Sequence, residues 1–222
     1  FEQYPHDVDE AILTGGYPRI FDQQLAPAQW LASYVSTYLE RDVRSVTRVG
    51  DLVAFQRFIE LCAGRTGQLL NLSSLAADAG ISQPTAKAWL SVLETSFIVF
   101  RLPPLHANLR KRLVKMPKLF FLDSGLACWL LGIRTPDQVR RHPLRGALFE
   151  TWVASEILKH RTNQGERGGL FFYRDRHGLE ADLVVNGGAQ RVVVEVKAGH
   201  TISEDMFTAA RKVKAILDPS LP

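Results

Sequence analysis

Cysteine is nearly absent from this sequence: two residues in 222, Cys62 and Cys128, both in apolar surroundings and without Cys-x-x-Cys spacing. That excludes a secreted disulfide framework and reads as buried thiols in a reducing, cytoplasmic compartment. Long apolar runs are also missing. None approaches about 18 uncharged residues, so no membrane-spanning helix is expected. There is no signal-peptide pattern, internal repeat or low-complexity segment. No G-x-x-x-x-G-K-[ST] occurs, so these residues contain no P-loop ATP site. The chain opens at Phe1 without a methionine and closes at DPSLP, which points to a fragment.

What is there is ordinary for a globular protein: 46% apolar and 23% charged residues, enough to bury a core in one large domain or two small ones. The net charge is only +4. Its distribution is more informative. Arg101, Arg110, Lys111, Arg112, Lys115 and Lys118 fall within residues 101–120, with no acid among them. A local basic patch is the footprint of phosphate contacts, and a solvated hairpin accounts for it equally well.

Along the chain, GGYPRI (15–20) is a turn. Trp30, Leu31, Tyr34, Val35, Tyr38 and Leu39 recur at helical spacing, with Pro27 in the first turn. Leu52, Phe55, Phe58, Ile59 and Cys62 mark a second helix, closed by GRTGQ (64–68). NLSSLAADAGISQPTAKAWLSVLE (71–94) has helix-turn-helix grammar. Ser73 or Ser74 caps the first helix, Gly80 supplies the left-handed turn, Ile81 plugs the angle and Ser82 caps the second helix. Trp89, Leu90 and Leu93 face inward; Gln83, Lys87 and Ser91 face out. FIVFRL (97–102) reads as a strand and LRKRLVKMPKLFFLD (109–123) as a basic hairpin ending in a buried strand. This order predicts a winged helix. Nucleic-acid contacts, if made, fall to Arg110, Lys111, Arg112, Lys115 and Lys87. Glu94 on the second helix opposes phosphate, and winged helices also serve as protein-contact modules. SGLACWLLGI (124–133) is a short apolar helix. TPDQVRRHPLRG (135–146) reads as a polar loop holding a domain boundary. The expected organisation is a helical linker over 1–50, a winged helix over 51–134 and a second α/β domain over 135–222.

The second domain carries the acids. GALFETWVASEILKH (146–160) is an amphipathic helix whose Glu150 and Glu156 flank the apolar stripe on opposite sides. LFFYRD, LEADLVV and QRVVVEVK read as strands, the last two joined at Asn186-Gly187-Gly188, and a helix covers roughly 203–217. Alternation puts Glu180 with Asp182 and Glu195 with Lys197. If the two faces coincide, three carboxylates and one ammonium converge beside the helix acid. Such carboxylates resist ionising together without a cation. Asp182 and Glu195 would suit Mg²⁺, whose oxygen ligands lie at roughly 2.1 Å and include several waters. A solvated strand pair is the plainer alternative, but Val192, Val193, Val194 and Val196 predict a strand covered on both faces.

Helix with Glu, strand, strand with Asp, strand with Glu-x-Lys, helix: this order resembles the PD-(D/E)xK nuclease fold. The resemblance implies an α/β (α+β) architecture, a winged-helix region followed by a mixed sheet flanked by helices. Glu150 (or Glu156), Asp182, Glu195 and Lys197 would be the catalytic set and Glu180 a reserve ligand. GGYPRI, YLERDV, KLFFLDSGLACWLLG, GALFETWVASEILKH, FFYRDRHGLEADLVV and VVVEVKAG also resemble the C-terminal half of a bacterial and archaeal P-loop (AAA-type) ATPase family. That half is domain of unknown function 4143, and the resemblance spans nearly the whole chain. It implies an ATPase module before GGYP that binds ATP and Mg²⁺ and is a partner of this region. No membrane partner is expected, since no apolar run is long enough, and nucleic acid and an oligomer stay open as partners. Nuclease-fold members usually place another strand or two after the last helix, where this chain stops. A Mg²⁺-dependent nuclease is one reading; a non-catalytic nuclease-fold scaffold with a winged helix for partner or nucleic-acid binding is the other.

Overall fold

The structure, a computed structural model, describes residues 7–39, 52–105, 114–166, 168–187, 190–199 and 203–217. The fold is α+β, with two three-stranded sheets among many helices. Arg110, Lys111 and Arg112 lie outside the described residues.

Three helices open it: α1 (Val8–Thr14), α2 (Pro18–Asp22) and α3 (Pro27–Tyr34), the last running into a π turn at Val35–Leu39. The Gly15-Gly16 turn presses against Asp123, whose Oδ2 accepts the Gly16 N–H at 2.7 Å. Tyr17 packs on the Trp30 and Tyr34 rings. The GGYP segment is thus a close-packed corner.

Next come α4 (Leu52–Ala63), β1 (Gln68–Leu69), α5 (Leu72–Ala79), α6 (Gln83–Thr95), β2 (Val99–Leu102) and β3 (Lys118–Phe121). The strands form an antiparallel sheet in the order β1-β3-β2. Gly80 takes the left-handed turn at φ 72°, where any Cβ would be strained. Ser82 accepts from the Thr85 N–H and caps α6 as expected, and Trp89, Leu90 and Leu93 are buried. The cap of α5 is Asn71, which accepts the Ser74 N–H at 3.0 Å. The expected Ser73 or Ser74 cap fails because the helix starts at Leu72, earlier than the serines suggest.

After α7 (Ser124–Leu130), the expected polar loop is a helix, α8 (Pro136–Arg141). A capping box between Thr135 and Gln138 satisfies its first amides, Pro136 starts it, and Val139 is fully buried.

The 19-residue α9 (Arg145–Asn163) leads to the second sheet, β4 (Leu170–Arg174), β5 (Glu180–Asn186) and β6 (Arg191–Val194), in that order. β5 and β6 pair antiparallel, as the short Asn-Gly-Gly connection predicts. The named strands are all antiparallel, and the parallel contact is a single bridge, Pro104 to Phe172. A 3-10 turn (Glu204–Phe207) and α10 (Thr208–Leu217) complete the described chain. Val193 packs toward α10 with Val213 and Leu217, while Val194 and Val196 pack toward α9. Val192, however, is 55% exposed. The valine run predicts a strand covered on both faces, but among the described residues β6 lies at the sheet edge and its covering stops short of Val192.

β3 is the wall between two cores. Leu119 and Phe121 point into the large N-terminal core, and Phe120 points into a second core with Leu102, Ala154, Phe172 and Leu183. Lys118 shares Phe120's face by strand alternation.

Candidate functional site

The site lies where that face of β3 meets α9 and β5. Lys118 is 4% exposed. Its ammonium contacts Glu150 Oε1 of α9 and Glu180 Oε1 of β5, both at 2.9 Å, and lies 5.4 Å from the centre of the Phe172 ring. A lysine opening the buried KLFF strand needs such partners, because an uncompensated ammonium is costly out of water. By sequence Lys118 belongs to the basic patch, and this role is not legible from that patch. The available signal was its place at the start of a strand that is apolar on both faces.

Of the two helix acids, Glu150 faces this cluster, and Glu156 turns away to ion-pair with Lys159. Burial pushes the Glu150 carboxyl up to about 7; the Asp182 and Glu180 charges push the same way, and Lys118 only partly offsets them. Burial pulls the Lys118 ammonium down, but the two carboxylates outweigh it and raise it above its ordinary value. Gly67 lies against Glu150, and its φ of 76°, rather than lack of space, is what favours glycine there, since a Cβ would make an ordinary contact 3.4 Å from Oε2.

β5 brings its acids to this side through a bulge. Phe171 pairs with Val184 and Tyr173 with Ala181, so β5 spends one extra residue opposite Phe172. Plain alternation would send Leu183 to the face opposite Glu180 and Asp182. With the bulge, Leu183 and Val185 join the α9-side core while Ala181 and Val184 join the α10-side core. The sequence does not display this offset.

Asp182 Oδ2 accepts the backbone N–H of Val196 at 2.8 Å. That carboxylate replaces a ladder carbonyl, so β6 ends at Val194 instead of running on to Lys197 as expected. Glu195 and Lys197 therefore stand just past the ladder, paired at 2.5 Å. The Glu195 side chain is 9% exposed, and its Oε2 is buried with no hydrogen-bond partner among the described residues. The hydrogen bond to Glu195 raises the Lys197 ammonium, against its partial burial, and the Asp182 and Glu150 charges add to the rise. Among the described residues, no three His, Cys, Asp or Glu side chains are grouped closely enough to enclose a metal ion. Asp182 holds the Val196 amide and Glu195 is the residue before it; both carry oxygens of the hard type that Mg²⁺ takes.

Arg145, at the start of α9, braces this end. It contacts Asp9 Oδ1 at 2.8 Å and donates to the Ala198 carbonyl, next to Lys197. Lys87 and Lys115 are both exposed. Among the described residues, no helix is long and apolar enough to cross a membrane.

Residues 5–137 match the family described as domain of unknown function DUF8612. The chain belongs to the DUF8612 family. Residues 145–221 of this DUF8612 chain match a second family, domain of unknown function DUF4143, commonly a C-terminal part of AAA-ATPase-associated proteins. The DUF4143 likeness is therefore confined to the part that begins with α9 and does not extend over nearly the whole chain. Two mycobacterial proteins are similar to the DUF8612 chain: the uncharacterized proteins Rv2008c of Mycobacterium tuberculosis and Mb2031c of Mycobacterium bovis. Each is 30% identical over 205 residues, covering 90% of this chain and 46% of the relative. The chain thus spans about half the length of the curated relatives it matches. No solved structure matches it. Lys118 comes from the DUF8612 match, while Glu150, Glu180, Asp182, Glu195 and Lys197 come from the DUF4143 match.

Proposed function

We propose that the DUF4143 part is a nuclease-like domain of the PD-(D/E)xK kind that cleaves nucleic-acid phosphodiesters, within the C-terminal half of a longer P-loop ATPase. The observation that carries this reading is Glu195. Its carboxylate is nine-tenths buried, one oxygen is held by Lys197, and the other has no partner among the described residues. A buried carboxylate oxygen left unpaired is costly unless a cation or donor completes it. Asp182 and Glu195 would hold Mg²⁺, which supplies polarisation of the phosphodiester and a lowered pKa for a bound water. Lys197 has a raised pKa and stays an ammonium. It therefore orients the attacking water and stabilises charge on the phosphoryl oxygens; it does not remove a proton. Glu150, near 7, can hold or release a proton at neutral pH. The order α4-β1-α5-α6-β2-β3 supports a winged helix, whose exposed Lys87 and Lys115 would contact phosphates; Arg110, Lys111 and Arg112, assigned the same role from the sequence, lie outside the described residues. ATP would bind only in a module outside these residues.

One observation favours the second reading, a non-catalytic scaffold. Lys118 already ion-pairs with both Glu150 and Glu180, so half of the acid cluster has a counter-charge without an ion. The test is nicking of DNA and RNA by the full-length protein in Mg²⁺ or Mn²⁺ with ATP present. Asp182→Ala and Glu195→Ala should each abolish nicking and metal uptake. Lys197→Ala should slow nicking by about 10²-fold or more while metal uptake persists. A wild-type protein that cleaves neither nucleic acid under these conditions is a scaffold.

A further inference from the structure

We propose that Lys118 is a built-in counter-ion that closes the Glu150–Glu180 pair to divalent cations. Its ammonium stands 2.9 Å from both carboxylates, with the Phe172 ring on another side. It cannot swing out to solvent, because β3 pairs with strands on both sides and buries every one of its four residues. The carboxylates cannot separate easily either, since Glu150 is fixed by α9 and Glu180 by its pairing with Arg174 of β4.

With the lysine gone, two carboxylates would face each other beside Asp182. Among the described residues the remaining cation on Glu180 is Arg174, which sits at 3.6 Å and is 41% exposed, so it is a weak substitute. Oxygen pairs on rigid elements with water access take up Mg²⁺ or Mn²⁺. Lys118 thus sets how many divalent ions the acid cluster admits, and the DUF8612 part of the chain supplies this control to the DUF4143 part. The inference rests on the proposed function for an ion at Asp182 and Glu195, and is separate from it at Glu150 and Glu180.

Mn²⁺ titrated into the whole 222-residue chain, followed by calorimetry and by loss of the free-ion paramagnetic resonance signal, separates the two. Lys118→Met should bind one more Mn²⁺ per chain than wild type. Lys118→Arg should bind no more than wild type, and Lys118→Met with Glu150→Gln should lose the gained ion. Equal stoichiometry in wild type and Lys118→Met overturns the inference. The wild-type stoichiometry, and its sensitivity to Asp182→Ala, reads the proposed function instead. No wild-type ion with one gained in Lys118→Met would sink that function and leave the counter-ion role standing. If Lys118→Met does not fold without metal, recovery of its helical circular dichroism in millimolar Mn²⁺ supports the proposal, and failure to recover overturns it.

Discussion

Glu150 shows how burial changes a residue's chemistry. Its folded-state pKa of about 7 lies above its ordinary value of 4.5, so the folded chain holds this proton more tightly than the unfolded chain does. The resulting stabilisation is fully present below about 4.5 and is lost as pH rises through about 7. Glu150→Gln removes the titration and keeps the shape. Its stability relative to wild type should therefore climb between about pH 5 and pH 7, by about 1.4 kcal/mol per unit at the steepest, then level off. Thermal melts across that range read it; a constant difference between the two proteins would mean Glu150 is ionised throughout. Lys118 illustrates the converse. A cation that looks like part of a solvated patch becomes, at 4% exposure, the neutralising partner of two acids.

At the scale of elements, termini decide more than interiors. The cap on α5 is Asn71, so Asn71→Ala should cost about 1 kcal/mol in chemical denaturation, while Ser73→Ala and Ser74→Ala should each cost no more than a few tenths. A larger loss at either serine would restore it as the cap. The end of α6 carries the opposite imbalance. Phe97 sits at φ 56° and is 76% exposed, just past the C-cap Ser96. The next amide, Ile98, closes back on the Leu93 carbonyl at 2.9 Å. That is the position glycine normally takes. Phe97→Gly should raise stability by up to about 1 kcal/mol, since it relieves the left-handed strain and loses little packing. A drop in melting temperature would show that the ring contributes more than its exposure indicates.

Across the whole molecule, Asp9 is the tie. It is 1% exposed and ion-pairs with Arg140 of α8 at 3.1 Å and Arg145 of α9 at 2.8 Å. Burial raises its carboxyl, but the Arg145 and Arg140 guanidinium groups outweigh that and hold it below its ordinary 3.8. The stabilisation is therefore present above about 3.8 and lost as pH falls below it. Asp9→Ala at neutral pH should cost about 2–3 kcal/mol, less than a fully buried pair because Arg140 is half exposed. It should also loosen the segment at Ala198 that Arg145 holds, seen as faster amide hydrogen exchange over residues 195–198. Unchanged exchange there would separate the brace from the site. The tie joins the first helix to the segment past β6 that carries Lys197, so distant parts of the sequence share one site.

Local pieces are written in short stretches of residues. Gly80, Ser82 and the spacing of Trp89, Leu90 and Leu93 specify the turn, the cap and the buried face of α6, because those signals act within a few residues. Asn-Gly-Gly makes β5 and β6 a hairpin, since so short a link leaves no other pairing. The pairing of Glu195 with Lys197 follows from a two-residue period. Tertiary structure alone decided the rest. Glu150 faces the acids and Glu156 does not because packing of α9 against β3 and α7 chooses the helix rotation, which a symmetric pair of flanking charges leaves open. The bulge that keeps Asp182 and Leu183 on one side depends on how β4 registers against β5, a relation between two strands that neither one encodes alone. Lys118 enters the site only because β3 is shared by two cores, and the identity of its partners, 32 residues away at Glu150, is a property of the assembled fold.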